Sequence, residues 1–500
     1  MAVPGHKLDR MFNPEVVAVI GDKGPGYMWL RNNLPFKEKG GRLYSVQLDE
    51  KEIPGIEALG IQNFKSMADI PEPIDYALVA VPRQVSPYVL KDLIANKANG
   101  AGFFTSGFAE TGEELGVKLQ TQLTEMAREA SFNLVGPNCM GLYLPKVGVR
   151  FNADAPVADD GKIGFLSQSG THGIMFSLVS AANGMHVSRC ASFGNAVVLD
   201  VSDYLEYLML DDETEVIGMY VEGVKNGRRF FETLREACKR KPVIVWKGGQ
   251  TEAGARATMS HTGSLAAPQA VWDGMMRQCG AITTNNLDET IDVMKLLLNA
   301  KRPTGTGMAL LAQTGGQSVS ITDAFSKAGL RVPRFSDGTY TELGEFFNIV
   351  GGSFQNPLDM AGTIQGSMDT LDRILRILDA DPNVDAMAME LSAMFAARQW
   401  KGKPETLDKT IEEIALHKER SKKPFLVILH PAHEAEYVAS IQPKFHAANI
   451  PLFQSFERAA AAFARAGVRE PVGRTAWRQN ARPGSAAPPG LQPRSARAPS

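Results

Sequence analysis

The chain has 500 residues, 44% hydrophobic and 22% charged, with 53 basic against 55 acidic side chains for a formal net charge of −2. That length exceeds a single hydrophobic core and predicts two to four domains, while the near-neutral balance gives neither nucleic acid nor an anionic membrane surface an electrostatic hold. Cys139, Cys190, Cys238 and Cys279 lack CxxC pairing, which argues against a disulfide framework or a thiolate zinc site and predicts a reducing, cytoplasmic setting. The N-terminus has no apolar leader core, and no run reaches the roughly 18 apolar residues of a membrane span.

Short β-rich apolar runs alternate with longer amphipathic stretches, the pattern of parallel sheets covered by helices. The first segment holds VVAVI (16–20), RLYSV (42–46), YALVAV (76–81), AGFFTS (101–106) and FNLVG (132–136), each ending in turn residues. A second opens with KIGFLSQSG (162–170) and continues through VSRCASFGN, EVIGMYVEG and KPVIVWKGG to about residue 300. The third opens with MALLAQTGGQS (308–318), followed by DAMAMELS, PFLVILHP and IPLFQSF. The second and third begin alike, with a strand, a Gln-containing small-residue turn and a helical run, and so predict two related domains joined near KRPTGTG. The expected division is 1–148, 149–302 and 303–468. A disordered tail is expected over 469–500, since 471–500 carry five arginines, many Pro, Ala and Gly, and no acid.

In open α/β sheets ligands sit beyond the carboxyl ends of the strands. The first such turn is GDKGPG, where Gly21, Gly24 and Gly26 let backbone N–H groups approach a ligand. It is not GxGxxG, which weakens a dinucleotide oxidoreductase reading. In the SQSG turn, Ser167 and Ser169 offer hydroxyls, Gln168 lies between them and Gly170 permits close approach at a helix start. The same serines would serve equally as helix caps.

ATMSHTGSLAAP (257–268) places His261 among small hydroxyl residues and glycine, in what reads as a loop. Neutral imidazole is a nucleophile near pH 7 and can carry a phosphoryl group, given a carboxylate to orient the ring and N–H groups to receive the oxygens. Glu222, at the end of the strand in MYVEG, is the candidate carboxylate. HPAHE (430–434) is not HExxH, and Pro431 disfavours a shared helical face for His430, so no metal-ligand set is predicted. The Met and aromatic residues of AMAMELSAMFAARQW read as a buried strand and a core helix.

NPEVVAVIG, AVPRQV, TSGFAETG, VGPNCMG, FLSQSG, SFGNAVVLDVSDYLEYL, YVEGVKNGRRF, KPVIVWKGGQTEAGARATMSHTGSLAA and QNPLDMAG together resemble the NDP-forming acyl-CoA synthetases, relatives of succinyl-CoA synthetase. The resemblance implies an α/β protein: a Rossmann-like CoA-binding domain followed by two flavodoxin-like, doubly wound parallel-sheet domains. It implies a transient phosphohistidine on His261 oriented by Glu222, with helix N-termini beyond Ser167–Gly170 receiving the phosphoryl group. It further implies CoA contacts at Gly21, Gly24, Gly26, Val81, Pro82, Ser106 and Asn138. The implied reaction joins a carboxylic acid, acetate-like or aryl such as a hydroxycinnamate, to CoA at the expense of ATP. The family's ATP-grasp module, which binds nucleotide with Mg2+, has no counterpart here. A separate ATP-grasp subunit and an oligomeric assembly are therefore expected, the alternative being a non-catalytic CoA-binding regulatory or scaffold protein. Tyr27, Met28 and Trp29 are bulkier than is common in relatives.

Overall fold

Buried apolar runs make most of the strands, because helices cover both faces of each sheet and leave little solvated side to demand alternation; Arg42–Val46, Gln62–Phe64 and Ile282–Thr284 carry exposed positions. The computed structural model describes residues 3–262, 268–360, 363–364 and 367–467; the expected tail lies outside them. The first sheet contains β1 (Val16–Ile20), β2 (Arg42–Val46), β3 (Gln62–Phe64), β4 (Tyr76–Val79), β5 (Gly100–Phe103) and β6 (Asn133–Val135). All are parallel in the order β3-β2-β1-β4-β5-β6, the Rossmann arrangement, in which the strand order reverses between β1 and β4.

The second sheet is built from β7 (Gly141–Tyr143), β8 (Ile163–Ser167), β9 (Val187–Ser192), β10 (Val216–Val221), β11 (Val243–Lys247) and β12 (Ile282–Thr284), ordered β12-β11-β10-β8-β9-β7. Strands β8 to β12 are parallel, while β7 pairs antiparallel with β9. The third comprises β13 (Met308–Ala312), β14 (Leu358–Asp359), β15 (Ala386–Glu390), β16 (Phe425–Ile428) and β17 (Leu452–Phe453), parallel in the order β14-β13-β15-β16-β17. Without β7, both sheets follow the flavodoxin order, with crevices between β8 and β10 and between β13 and β15.

Local signals set the helices. In Gly227–Arg240, Phe230, Thr233, Leu234 and Ala237 recur at helical spacing and are buried, and the Asn226 side chain caps the start by accepting the Arg229 N–H. Asp200 and Asp203 close a reciprocal capping box on Val201–Leu208. Among the sheets, β7 matters most for assembly. It follows β6 within a few residues yet lies on the edge of the second sheet, so the chain crosses from one sheet to the next through a paired strand. Below it, Phe12 stacks on Tyr207 at 4.5 Å between ring centroids, and Arg189, buried, reaches Asp211 at 3.3 Å and Glu213 at 3.1 Å. The last helix, Phe456–Ala466, packs on both Leu287–Asn299 and Gly315–Lys327, carrying one continuous core from the second sheet into the third. Each fully buried Leu, Ile, Val or Phe in it contributes about 1.5–3 kcal/mol.

Candidate active site

Ser167 ends β8 and Glu222 follows β10, so both stand at the reversal point of the second sheet. The turn between β8 and the helix Gly170–Ala182 is held by its own polar groups. The Ser167 hydroxyl donates to the Ser169 carbonyl at 2.6 Å, and Ser169 Oγ accepts the His172 N–H as the helix cap. Gln168 faces the neighbouring strand: its N–H donates to the Tyr220 carbonyl at 3.0 Å, and its Oε1 accepts the N–H groups of Glu222 at 2.8 Å and Gly223 at 3.1 Å. This bracket fixes the backbone that carries the carboxylate.

Glu222 is buried, with Oε1 accepting the Tyr220 hydroxyl at 3.1 Å. Burial, together with Glu222, pushes the Tyr220 phenol well above its ordinary range, so it stays protonated and donates. His172 and Trp246 complete a ring cluster on Tyr220, with centroids 4.3 and 4.6 Å away. A side chain at Gly248 would meet the Tyr220 hydroxyl at 2.6 Å and Glu222 Cγ at 3.1 Å; only glycine lets the backbone after β11 pass this close. Lys247, the last residue of β11, is buried with its ammonium over the Trp272 ring at 5.5 Å, and burial lowers its pKa.

The backbone of His261 lies in the helix Glu252–Thr262, and not in the loop expected from the sequence. Ala255, Arg256, Ala257 and Met259 are strong helix formers that carry the helix past the hydroxyl residues to the edge of Gly263. Thr258, one turn earlier, lies beside Gly249 in the turn after β11, so this helix lies against the carboxyl edge of the second sheet. It then packs against the turn Ala109–Thr111 beyond β5 of the first sheet. The helix thus spans from one strand-end edge to the other.

The residues implied as CoA contacts line the first sheet's carboxyl edge. Gly21 (φ +82°) is packed so closely on β4's end that an added Cβ would lie 2.5 Å from Val81 Cγ1. The Val81 carbonyl accepts the Thr105 hydroxyl, and the Thr105 carbonyl accepts the Asn138 N–H at 3.0 Å. Gly24, Gly26, Pro82 and Ser106 are exposed along this edge, and Asn138 is half-buried. Asn138 Nδ2 reaches Asn195 Oδ1 at 3.4 Å, while Asn195 Nδ2 donates to Glu110 Oε2 at 2.6 Å. Asn195 therefore ties the two edges together. It and His172 were not singled out in the sequence, although SFGN and the histidine three residues after Ser169 were visible signals.

A Rossmann sheet joined through Asn195 to a flavodoxin-like sheet whose crevice holds a bracketed glutamate defines the class by its fold and site. In agreement, residues 15–145 match the CoA binding domain and 160–297 the succinyl-CoA ligase-like flavodoxin domain. The chain is 32% identical to the alpha subunit of ADP-forming acetate–CoA ligase II of Pyrococcus furiosus, over 91% of this chain and 96% of that one. It is 36% identical to ADP-forming acetate–CoA ligase I of Archaeoglobus fulgidus over 76% of its length, spanning 54% of that protein. A trans-feruloyl-CoA synthase from an unknown prokaryotic organism is 31% identical over 66% of this chain and 47% of its own. Among solved structures, acetyl-coenzyme A synthetase 1 of Ca. Korarchaeum cryptofilum, in complex with phosphate and ADP, superposes with a TM-score of 0.77 at 27% identity, covering 92% of this chain and 96% of that one. The chain belongs to the ADP-forming acyl-CoA synthetase family, with the make-up of its alpha subunits.

Proposed function

We propose that this chain is the CoA-binding and phosphohistidine-bearing part of an acid–CoA ligase that converts ATP, a carboxylic acid and CoA into acyl-CoA, ADP and phosphate. The observation that carries the reading is the Gln168 bracket, which holds buried Glu222 at the crevice and against Gly248, in the turn that leads into the helix containing His261. In the reaction, CoA lies on the first sheet's edge, near Gly21, Gly24, Gly26, Val81, Pro82, Ser106 and Asn138. The terminal phosphoryl group of ATP passes to a His261 nitrogen and ADP leaves; a carboxylate oxygen of the acid takes the phosphoryl group from the histidine to give an acyl phosphate; and the thiol sulfur of CoA bonds to the acyl carbon as the bond from that carbon to the phosphate oxygen breaks, releasing acyl-CoA and phosphate, every step running backward in the reverse direction. Glu222 orients the imidazole, and N–H groups near Ser167, Gln168, Ser169 and Gly170 stabilise the phosphoryl oxygens.

The nucleotide and its Mg2+ belong to a separate ATP-grasp subunit in this reading. Support comes from the near-complete coverage of a relative named as an alpha subunit, against 54% of the Archaeoglobus chain. The acid is short-chain and acetate-like or aryl and hydroxycinnamate-like, after the names of the relatives. The division at 1–148, 149–302 and 303–468 accompanies this reading, supported by one sheet falling chiefly within each segment. A cytoplasmic setting accompanies this reading, in keeping with four cysteines that form no disulfide; among the described residues no helix is long and apolar enough to cross a membrane.

The test is to incubate the tagged chain with magnesium-ATP in extract of its host and map acid-labile phosphoryl groups by mass spectrometry at neutral pH. A phosphoryl group on His261, absent from His261→Ala, is expected. Intact CoA binding without phosphorylation would favour the non-catalytic CoA-binding module instead.

A further inference from the structure

The glycine turn of the first sheet is closed by a carboxylate from the neighbouring strand's loop. Glu52 Oε2 accepts the Gly24 N–H at 2.9 Å. The Glu52 carbonyl accepts the Tyr27 hydroxyl at 3.3 Å, and Tyr27 itself is held at φ +46°, a backbone region that non-glycine residues rarely adopt. Two further N–H groups are also taken: Asp22 accepts from Leu30 at 2.8 Å and from Lys23 at 3.1 Å. The charges around the turn do not favour anions. Asp22, Asp49, Glu50 and Glu52 gather there; of the nearby lysines, Lys65 is paired with Glu50 at 2.8 Å, while Lys23 and Lys51 are exposed. By contrast, Leu48 (69% exposed) and Met28 (46%) offer apolar surface on the same edge.

A phosphate oxygen and a carboxylate oxygen compete for the same N–H, and they repel each other when adjacent. We infer that Glu52 is a specificity-determining residue that occupies the Gly24 N–H and selects against the phosphate-bearing end of the ligand, so that CoA binds by displacing it. The inference rests on the CoA reading above. Uncharged parts of the ligand are indifferent to Glu52, because they neither need the Gly24 N–H nor meet a repulsive charge.

The experiment is calorimetric titration of the full chain and of Glu52→Gln, which keeps the acceptor and the shape but removes the charge, with CoA, dephospho-CoA and pantetheine. Glu52→Gln is expected to tighten CoA and dephospho-CoA by about threefold to tenfold, with the gain shrinking in added salt, and to leave pantetheine within about twofold. CoA affinity that is unchanged or weaker in Glu52→Gln overturns the proposal. Equal tightening of pantetheine also overturns it, since a loosened turn and not charge would then be the cause. CoA bound by neither protein removes the CoA reading itself, and the proposal with it, whereas binding to both with equal affinity removes only the role of Glu52.

Discussion

In the second sheet, the glutamine after β8 hooks the end of β10; in the third, Gln313 after β13 hooks the end of β15 in the same way, its Oε1 accepting the Ser392 N–H at 3.1 Å. What stands at the hooked position differs. In the second it is Glu222 that follows the strand, while in the third it is Ser392, and the nearest carboxylate, Glu390, has turned fully into the interior. One Glu390 oxygen accepts the Gln313 N–H at 2.9 Å and the other is buried with no hydrogen-bond partner among the described residues. Burial, reinforced by Asp359, raises its pKa. Duplicated topology thus supplies the same scaffold twice, and a shift of two residues along one strand decides whether a carboxylate is offered to the crevice or kept inside.

If this comparison holds, the largest loss comes from His261→Ala, which should lower ligase turnover on the order of a thousandfold or more when assayed with the partner subunit, while calorimetry shows CoA affinity preserved. Glu222→Gln should slow phosphorylation by about ten- to a hundredfold, read by rapid-quench labelling, with an unchanged melting temperature. The brackets themselves separate the units. Gln168→Leu and Gln313→Leu should each lose about 2 kcal/mol in denaturant titrations by orphaning buried N–H groups, but only the former should also slow phosphorylation; equal kinetic damage would erase the distinction drawn here.

The smallest effect concerns Glu390. A carboxyl whose folded pKa is raised binds more protons folded than unfolded, so its stabilisation is complete below the unfolded value, about 4.3, and is lost as pH rises through the folded value. Wild type should therefore lose stability relative to Glu390→Gln on going from pH 4 to pH 7, as read from denaturant titrations at each pH. Parallel stability profiles for the two proteins would mean that Glu390 ionises freely.

Most of the five- and six-residue strands were legible because they are buried along nearly their whole length, and so were Glu222 and the SQSG turn, which sit where strands must stop. Strands β3, β7, β12 and β14 were not, since their two or three residues stand in no longer apolar run, unlike the equally short β6 and β17 within FNLVG and IPLFQSF. The bracket was hidden because its partners are distant in the chain: Gln168 and Glu222 are 54 residues apart, and Glu52 is 28 from Gly24. Local chemistry nominates residues, but only tertiary pairing shows which of their donors and acceptors are already spent. His261 was misplaced in a loop because its polar neighbours outweighed the alanine-rich stretch before them.

Strand β7 has a bearing on how the molecule could be dissected. Because Gly141–Tyr143 covers the edge of β9, starting a fragment between Tyr143 and Ile163 would strip that edge and leave a row of unpaired N–H and C=O groups, a template for strand exchange between copies. A fragment meant to isolate the second sheet should accordingly begin before Gly141, even though it would then carry a piece of chain that follows directly from the first sheet.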